Sequence, residues 1–130
     1  INNSMPAYVV GQISEILNKN GKILNNSKIL LMGVAYKNDI SDMRESPAID
    51  ITELLLEKKV DVSYFDPFVK EFSVSGNEIN KEDETNSFDS YDMLLVLTPH
   101  SNFSDIDFTK IKTIIFDTTG SDFIQSTERL

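Results

Sequence analysis

Two basic residues, Lys37 and Arg44, lie in one segment of the chain, between a run of apolar residues and a helix start. The run from Ile29 to Met32 is typical of a buried strand, and Ser46 followed by proline is typical of the beginning of a helix. In an open α/β sheet, ligands bind beyond the carboxyl ends of the strands, where such connections lie. Two positive charges there are suited to a phosphate-bearing ligand, because Lys and Arg form charge-assisted hydrogen bonds with phosphate oxygens.

The backbone of this segment offers little to an anion, because Gly33 is the only glycine between positions 33 and 47. Glycine-rich phosphate loops bind through close backbone approach, so here the side chains would have to hold the ligand. Tyr36 directly precedes Lys37 and is a further candidate for the wall of such a site.

Composition narrows the kinds of function that the chain can carry. Its 130 residues, 40% of them hydrophobic, are enough for one compact domain with a buried core. The net charge of −9 argues against nucleic acid as a partner, because the phosphate backbone would be repelled. Without cysteine there is no disulfide and no thiolate nucleophile, and one histidine is too few for a protein-only zinc site. No apolar run has the length of a membrane span and no signal peptide is apparent, so we expect a cytoplasmic protein without a membrane partner.

The hydrophobic pattern predicts strands that alternate with helices. Apolar residues recur at helical spacing over 5–20, and a second helix begins at Pro47 with Ser46 as its cap. Short apolar runs predict strands at 28–33, 60–65, 93–97 and 113–116. Weaker patterns predict a loop or weak strand from 70, a helical turn over 86–91, a small helix over 103–111 and no regular element after 118.

Alternation of this kind implies parallel pairing through right-handed crossovers. We therefore predict an α/β fold, a Rossmann-like, open, mostly parallel sheet with flanking helices. The helix over 5–20 leads into this sheet.

Four segments of the chain, taken in order, resemble the C-terminal domain of nucleotide-sugar 6-dehydrogenases, the family of UDP-glucose, UDP-N-acetylhexosamine and GDP-mannose dehydrogenases. They are Asn2–Pro6, Gly33–Pro47, Tyr64–Pro67 and Thr98–His100. The resemblance implies that residues 1–25 are the end of a helix that links two nucleotide-binding domains. It also implies that residues 26–130 form a Rossmann-like nucleotide-sugar-binding domain.

The resemblance further implies the activity of the whole enzyme. Members of this family oxidise the C6 alcohol of a nucleotide sugar to a carboxylate in two NAD-dependent steps, supplying precursors of polysaccharides. They use an N-terminal Rossmann domain with a glycine-rich loop and a catalytic cysteine, and this chain has neither. We therefore expect UDP-sugar binding, no catalytic or metal-binding residue, and no activity from the chain alone. NAD is expected to be bound mainly by an N-terminal domain, and the full-length enzyme to be a homodimer.

By the same resemblance, Lys37 contacts the nucleotide sugar. Tyr36, which precedes it, could line the pocket or simply pack against the protein. Arg44 is expected to reach the NAD held by the N-terminal domain. Arg44 could instead pair with Asp39 or Asp42 and brace the loop. Both roles are compatible, because acidic neighbours can orient a guanidinium that also binds an anion.

Three further residues need an interpretation. Thr119 stands where the family usually carries an arginine that helps to bind the nucleotide sugar, so one positive charge is missing. Asp66, at the end of the second predicted strand, resembles the acid that holds an adenosine ribose, but the Pro67 after it favours a turn. His100 could act as a general base, although a lone histidine beside a turn is more often structural.

Two other classes of function remain open. Asp39, Asp42, Asp66 and Thr98 follow predicted strands and loosely imitate the phosphoacceptor site of a receiver-like or nucleotide-sensing module. That site also requires a lysine after a later strand, and none follows Phe116. Alternatively, the chain is a structural interaction domain with the leading helix as its dimer surface. A magnesium-dependent phosphorylation assay tests the first alternative, and a UDP titration tests the second.

Overall fold

A parallel sheet of six strands organises the protein, as a computed structural model describing residues 5–130 shows. The first three residues of the matched segment Asn2–Pro6 lie outside this described range. The strands of the sheet are β1 (Lys28–Met32), β2 (Asp61–Phe65), β5 (Asn80–Lys81), β6 (Met93–Val96), β7 (Ile114–Asp117) and β8 (Glu128–Arg129). Their spatial order is β5-β2-β1-β6-β7-β8, and every neighbouring pair is parallel. The predicted Rossmann-like α/β fold is confirmed.

The strand order reverses at β1. This strand has β2 on one side and β6 on the other, so the chain crosses back past β1 after completing the first half of the sheet. Such a reversal opens a crevice beyond the carboxyl ends of the two strands, where open α/β sheets bind ligands. Here it places the connection that follows Met32 beside the connection that follows Val96.

Two α-helices cover one face of the sheet, and short 3₁₀ helices cover the other. The helices α1 (Met5–Lys19) and α2 (Pro47–Glu57) pack on each other and against Ile29 and Leu31 of β1. Leu30 and Met32, which alternate with them along β1, belong to a second buried cluster on the opposite face, which is rich in phenylalanine. The 3₁₀ helices on that face are Thr85–Ser90, Ser101–Asp105 and Phe108–Lys110. Burial on both faces explains the uninterrupted apolar sequence of β1.

Neither α-helix of residues 5–130 combines the length and hydrophobicity needed to cross a bilayer.

Ser46 joins the start of α2 to the end of β1. Its hydroxyl accepts a hydrogen bond from the N–H of Ala48 at 3.2 Å and donates one to the carbonyl of Val34 at 2.7 Å. Pro47 occupies the first turn, where its missing N–H removes no helical hydrogen bond. The predicted cap is confirmed, and it ties the far end of the long connection back to its beginning.

The polar stretch after β2, expected to be a loop or a weak strand, contains a short hairpin of β3 (Ser73–Val74) and β4 (Asn77–Glu78). Two other regions differ from the sequence-based expectation. The small helix expected over 103–111 is replaced by two separate 3₁₀ helices. The tail, expected to be irregular, contributes β8 at the sheet edge. A two-residue edge strand buries almost no apolar surface, so no hydrophobic pattern announces it.

Candidate functional site

The two connections at the crevice are in direct contact, because Gly33 lies against Thr98. Gly33 has a φ of 82°, and a Cβ at this position would lie 2.1 Å from the carbonyl oxygen of Thr98. The Thr98 hydroxyl also donates a hydrogen bond to the carbonyl of Ala35 at 2.7 Å. The protein's own backbone therefore closes the centre of the crevice, and space for a ligand remains beside it.

A groove of about 420 Å³ lies beside this contact, at the carboxyl ends of β1, β6 and β7 and next to the first turns of α1 and α2. Its apolar lining is Met5, Val9, Pro47, Ile51, Leu97, Pro99 and Leu130. Its polar lining is Tyr36, Lys37, Asn38, Thr98, Thr118 and Thr119. Apolar walls with a few polar groups and one cation suit a ligand that combines a ring with a phosphate.

A second concavity, on the face of the 3₁₀ helices, is less suited to an anion. Its charged lining consists of Asp89, Asp105, Asp107 and Lys110. Three carboxylates against one ammonium would repel a phosphate group.

Lys37 and Tyr36 are both exposed on the rim of the groove. The backbone N–H of Tyr36 donates to the carbonyl of Asp42 at 2.6 Å, which folds the loop back on itself. Within residues 5–130, Lys37 has no hydrogen-bond or ion-pair partner. Its ammonium is therefore available to an anion that enters the groove.

Arg44 lies outside the groove and pairs with Asp42. Its Nε and Nη2 donate to the two carboxylate oxygens of Asp42 at 3.1 and 2.9 Å, and its side chain is 88% exposed. The hydrogen bonds from Arg44 lower the pKa of Asp42 to about 2. Of the two aspartates that the sequence offered as partners for Arg44, the structure pairs it with Asp42. The carboxylate of Asp39 accepts hydrogen bonds from Ser101 instead.

Asp66 is buried at the end of β2 and works as a hydrogen-bond acceptor for the protein itself. One of its oxygens accepts from the N–H of Phe68 at 2.8 Å, and the other accepts from the N–H of Val34 at 2.8 Å and from His100 at 2.9 Å. Burial opposes ionisation, but these hydrogen bonds outweigh it, and the pKa of Asp66 lies below its ordinary value. The expected turn with Pro67 is confirmed, and a carboxylate that is 1% exposed cannot hold a ribose.

His100 is fully buried, with both ring nitrogens engaged. Its Nε2 faces Asp66, and its Nδ1 accepts a hydrogen bond from the backbone N–H of Asp39 at 2.8 Å. Phe68 and Phe103 pack on the ring, with centroid distances of 4.7 and 5.5 Å. The structural interpretation of His100 is therefore confirmed, since a general base needs a free ring nitrogen within reach of a substrate.

The receiver-like alternative does not fit this arrangement. Asp39 accepts hydrogen bonds at one oxygen from the N–H and hydroxyl of Ser101, at 2.8 and 2.9 Å, and these lower its pKa. Asp66 is sealed from solvent. No group of three His, Asp or Glu side chains in the described part of the chain is placed to hold a metal ion.

Thr119 lies at the groove and is held by Asp117, the last residue of β7. Its N–H and its hydroxyl both donate to one Asp117 oxygen, at 2.8 and 2.7 Å. The other oxygen accepts from the N–H of Gly120 at 3.1 Å. Thr119 therefore closes a tight turn and brings no positive charge to the groove.

Sequence reasoning missed several groove residues, chiefly Asn38 and Thr118, and considered Thr98 only as part of a phosphoacceptor-like site. The available signal was position, because Thr98 and Thr118 each follow a buried strand. Carboxyl ends of parallel strands share one edge of a sheet, so residues in these positions converge.

Known families and proteins match most of this chain. The family described as "UDP-glucose/GDP-mannose dehydrogenase family, UDP binding domain" matches residues 30–122. UDP-N-acetyl-D-mannosamine dehydrogenase from Methanococcus aeolicus is 35% identical over 114 residues, which are 88% of this chain and 24% of that protein. UDP-glucose 6-dehydrogenase from Rickettsia bellii is 30% identical over 118 residues, 88% of this chain and 26% of that protein.

A solved structure gives the same result. The UDP-N-acetyl-mannosamine dehydrogenase of Staphylococcus aureus superimposes with a TM-score of 0.70 and 34% identity, covering 98% of this chain and 29% of that one. The chain thus spans about a quarter of the length of the curated relatives that it matches. Because the matched region covers most of the chain, the chain belongs to the UDP-glucose/GDP-mannose dehydrogenase family and corresponds to its C-terminal UDP-binding domain.

Proposed function

We propose that the groove beside Lys37 binds the UDP part of a UDP-sugar. The observation that carries this proposal is an ammonium on the groove rim with no acidic partner among residues 5–130, in a chain whose net charge is −9. Lys37 would donate a charge-assisted hydrogen bond to a diphosphate oxygen. The exposed ring of Tyr36 offers a flat apolar surface to the base or ribose.

We further propose that the whole protein is an NAD-dependent UDP-sugar 6-dehydrogenase, which oxidises the C6 alcohol of its substrate to a carboxylate. The relatives that are 35% and 34% identical bear the name UDP-N-acetylmannosamine dehydrogenase, which supports a UDP-N-acetylhexosamine over UDP-glucose as the proposed substrate. This chain has no cysteine, so the thiol of such a reaction would come from outside these 130 residues.

NAD would be held mainly by another domain, with Arg44 as a supporting contact. The segment from 33 to 47 has one glycine and no backbone cradle for a pyrophosphate. Asp42 engages Nε and Nη2 of Arg44, while the rest of the guanidinium projects into solvent. The exposed side of the guanidinium can make one contact with an anionic group across a cleft, but it cannot bind a whole cofactor.

The remaining proposals concern assembly. We assign residues 1–25 to the end of the interdomain helix and 26–130 to the nucleotide-sugar-binding domain. The full-length enzyme would be a homodimer. Tyr8 on α1 and Ile23 just after it expose apolar side chains, which supports α1 as part of the proposed dimer interface.

A UDP titration of the ¹⁵N-labelled chain, followed by NMR, tests the binding proposal. We expect shifts confined to the groove residues and a Kd near 1 mM, about −4 kcal/mol, because only one wall of an interdomain cleft is present. Lys37→Ala should weaken binding by about 1–3 kcal/mol, the scale of a charged hydrogen bond. Lys112→Ala is the matched control, since Lys112 is exposed just before the amino end of β7, whereas the groove lies at the carboxyl ends of the strands.

Two results would count against the proposal. One is the absence of any NMR shift at the groove when the UDP concentration is ten times the expected Kd. This result would favour an interaction domain. The other is equal weakening by the Lys37 and Lys112 variants, which would indicate a nonspecific effect of charge.

A further inference from the structure

The ring of His100 bridges two parts of the chain that are far apart in sequence. Because Nδ1 accepts the N–H of Asp39 at 2.8 Å, the ring proton must be on Nε2, which then donates to the Asp66 carboxylate at 2.9 Å. The neutral Nε2–H tautomer satisfies both neighbours at once. His100 therefore links the end of β2 to the apex of the connection between β1 and α2.

Asp39 is held in an unusual backbone conformation at this apex. Its φ is 67°, a left-handed value that few residues other than glycine, Asn and Asp adopt. The hydrogen bond to His100 fixes its N–H, and the two hydrogen bonds from Ser101 fix its carboxylate. Three contacts with two consecutive residues thus determine the position of Asp39.

The other end of the same short segment is held by Asp66, the carboxylate that His100 contacts. The Asp66 oxygen that faces His100 also accepts hydrogen bonds from Val34 and Ala35, at 2.8 and 3.3 Å. The exposed positions 36–38, which line the groove, therefore lie between two points anchored to Asp66 and His100.

We propose that His100 is a positioning residue, which holds the loop segment 36–38 in the conformation that presents Lys37 to a ligand. This inference rests on the proposed binding of UDP by the groove. His100 itself does not touch the groove, and it acts through the backbone of Asp39. Without this link, the left-handed turn at Asp39 would relax and Lys37 would sample many positions, which raises the entropic cost of binding.

Two substitutions separate the two hydrogen bonds of the ring. In His100→Asn, the amide oxygen takes the place of Nδ1 and can still accept from Asp39. In His100→Gln, the amide nitrogen takes the place of Nε2 and can still donate to Asp66. Both variants lose one hydrogen bond and part of the ring's packing on Phe68 and Phe103, so similar losses of thermal stability are expected.

The expected result is asymmetric. His100→Gln should speed hydrogen exchange of the Asp39 amide at least 10-fold, increase the motion of residues 36–38 in ¹⁵N relaxation, and weaken UDP binding at least 5-fold. His100→Asn should keep the Asp39 amide protected and the Kd for UDP within about twofold of wild type. Equal effects of the two variants on Asp39 exchange and on the Kd would overturn the inference, because a merely structural role makes no such distinction.

A second pair of variants keeps the inference testable if the His100 variants do not fold. Asp39→Ala removes both contacts with Ser101 and should weaken UDP binding at least 3-fold. Asp107→Ala is the control, since Asp107 likewise accepts hydrogen bonds from the N–H and the hydroxyl of one residue, Thr109, but on the other face of the sheet. Equal binding by these two variants contradicts the inference.

The two levels of proposal fail in different ways. If the wild-type chain gives no shift with UDP, the proposed function fails, whereas Asp39 exchange and loop relaxation still test the role of His100. If UDP binds and His100→Gln leaves the loop and the Kd unchanged, only the positioning role fails.

Discussion

The hydroxyl of Thr119 donates a hydrogen bond to the buried carboxylate of Asp117 at 2.7 Å, at the edge of the groove that contains Lys37. A side chain that closes a turn therefore stands where an arginine is usual in the family that the sequence resembles. The groove consequently has one cation, Lys37, among its lining residues within 5–130.

Restoring the charge should strengthen nucleotide binding. Thr119→Arg keeps the backbone N–H groups of 119 and 120 that bind Asp117, so the turn should survive. We expect UDP to bind more tightly by about 1–2 kcal/mol, the scale of one charged hydrogen bond. Calorimetric or NMR titration measures the change. Thr109→Arg adds the same charge at the comparable Asp107 turn and should leave the affinity unchanged; an equal gain there would point to overall charge instead.

The exposed pair of Arg44 and Asp42 predicts a pH effect confined to this loop. The folded pKa of Asp42, about 2, is below its ordinary value of 3.8. The contribution of the pair is therefore present above the ordinary value and is lost as the pH falls towards 2. Arg44→Gln should raise the NMR-detected pKa of Asp42 with little change in melting temperature, because exposed pairs contribute little to stability.

The proposed NAD contact of Arg44 needs the full-length enzyme. There, Arg44→Gln should raise the KM for NAD more than the KM for the UDP-sugar. Equal effects on both constants, together with a large drop in melting temperature, would indicate that Arg44 only braces the loop.

Asp66 should be one of the most sensitive polar positions in the protein. Asp66→Ala leaves the N–H groups of Val34 and Phe68 and the buried ring of His100 without their acceptor. We expect a loss of about 3 kcal/mol in the free energy of unfolding, measured by urea denaturation. Asp122→Ala, at an exposed position, should change it by less than about 0.5 kcal/mol.

The contribution of Asp66 also depends on pH. Its pKa is lowered in the folded protein, so this stabilisation is complete above about 4 and declines as the pH falls below the ordinary value of 3.8. The acid-induced loss should be smaller in Asp66→Ala than in the wild type. Parallel acid-unfolding curves for the two proteins would contradict this assignment.

Gly33 and Gly11 offer a matched test of backbone geometry. Gly33→Ala places a Cβ 2.1 Å from the Thr98 carbonyl at a φ of 82°, so we expect a loss of at least about 3 kcal/mol or failure to fold. Gly11 lies inside α1 with open space around it, so Gly11→Ala should stabilise by about 0.5–1 kcal/mol. Thermal melts of both variants measure the difference. A Gly33→Ala variant as stable as the wild type would mean that the two connections are not in contact.

The features that depend on neighbours along the chain can be predicted from the order of the residues alone. The apolar run of β1, the Ser46 cap with Pro47, and the place of Lys37 after a buried strand all follow from local pattern and local backbone chemistry. Alternation of strands and helices then restricted the topology to a parallel sheet, because right-handed crossovers are strongly preferred.

Which residues meet across long distances in the sequence depends on the folded structure. Arg44 had two possible carboxylates, and the fold commits Asp39 to His100 and Ser101, leaving Asp42 for Arg44. Asp66 and His100 are 34 positions apart, and no periodicity relates them. Their contact exists because parallel strands bring their carboxyl ends to one edge of the sheet, where the connections must share space and satisfy one another's buried polar groups.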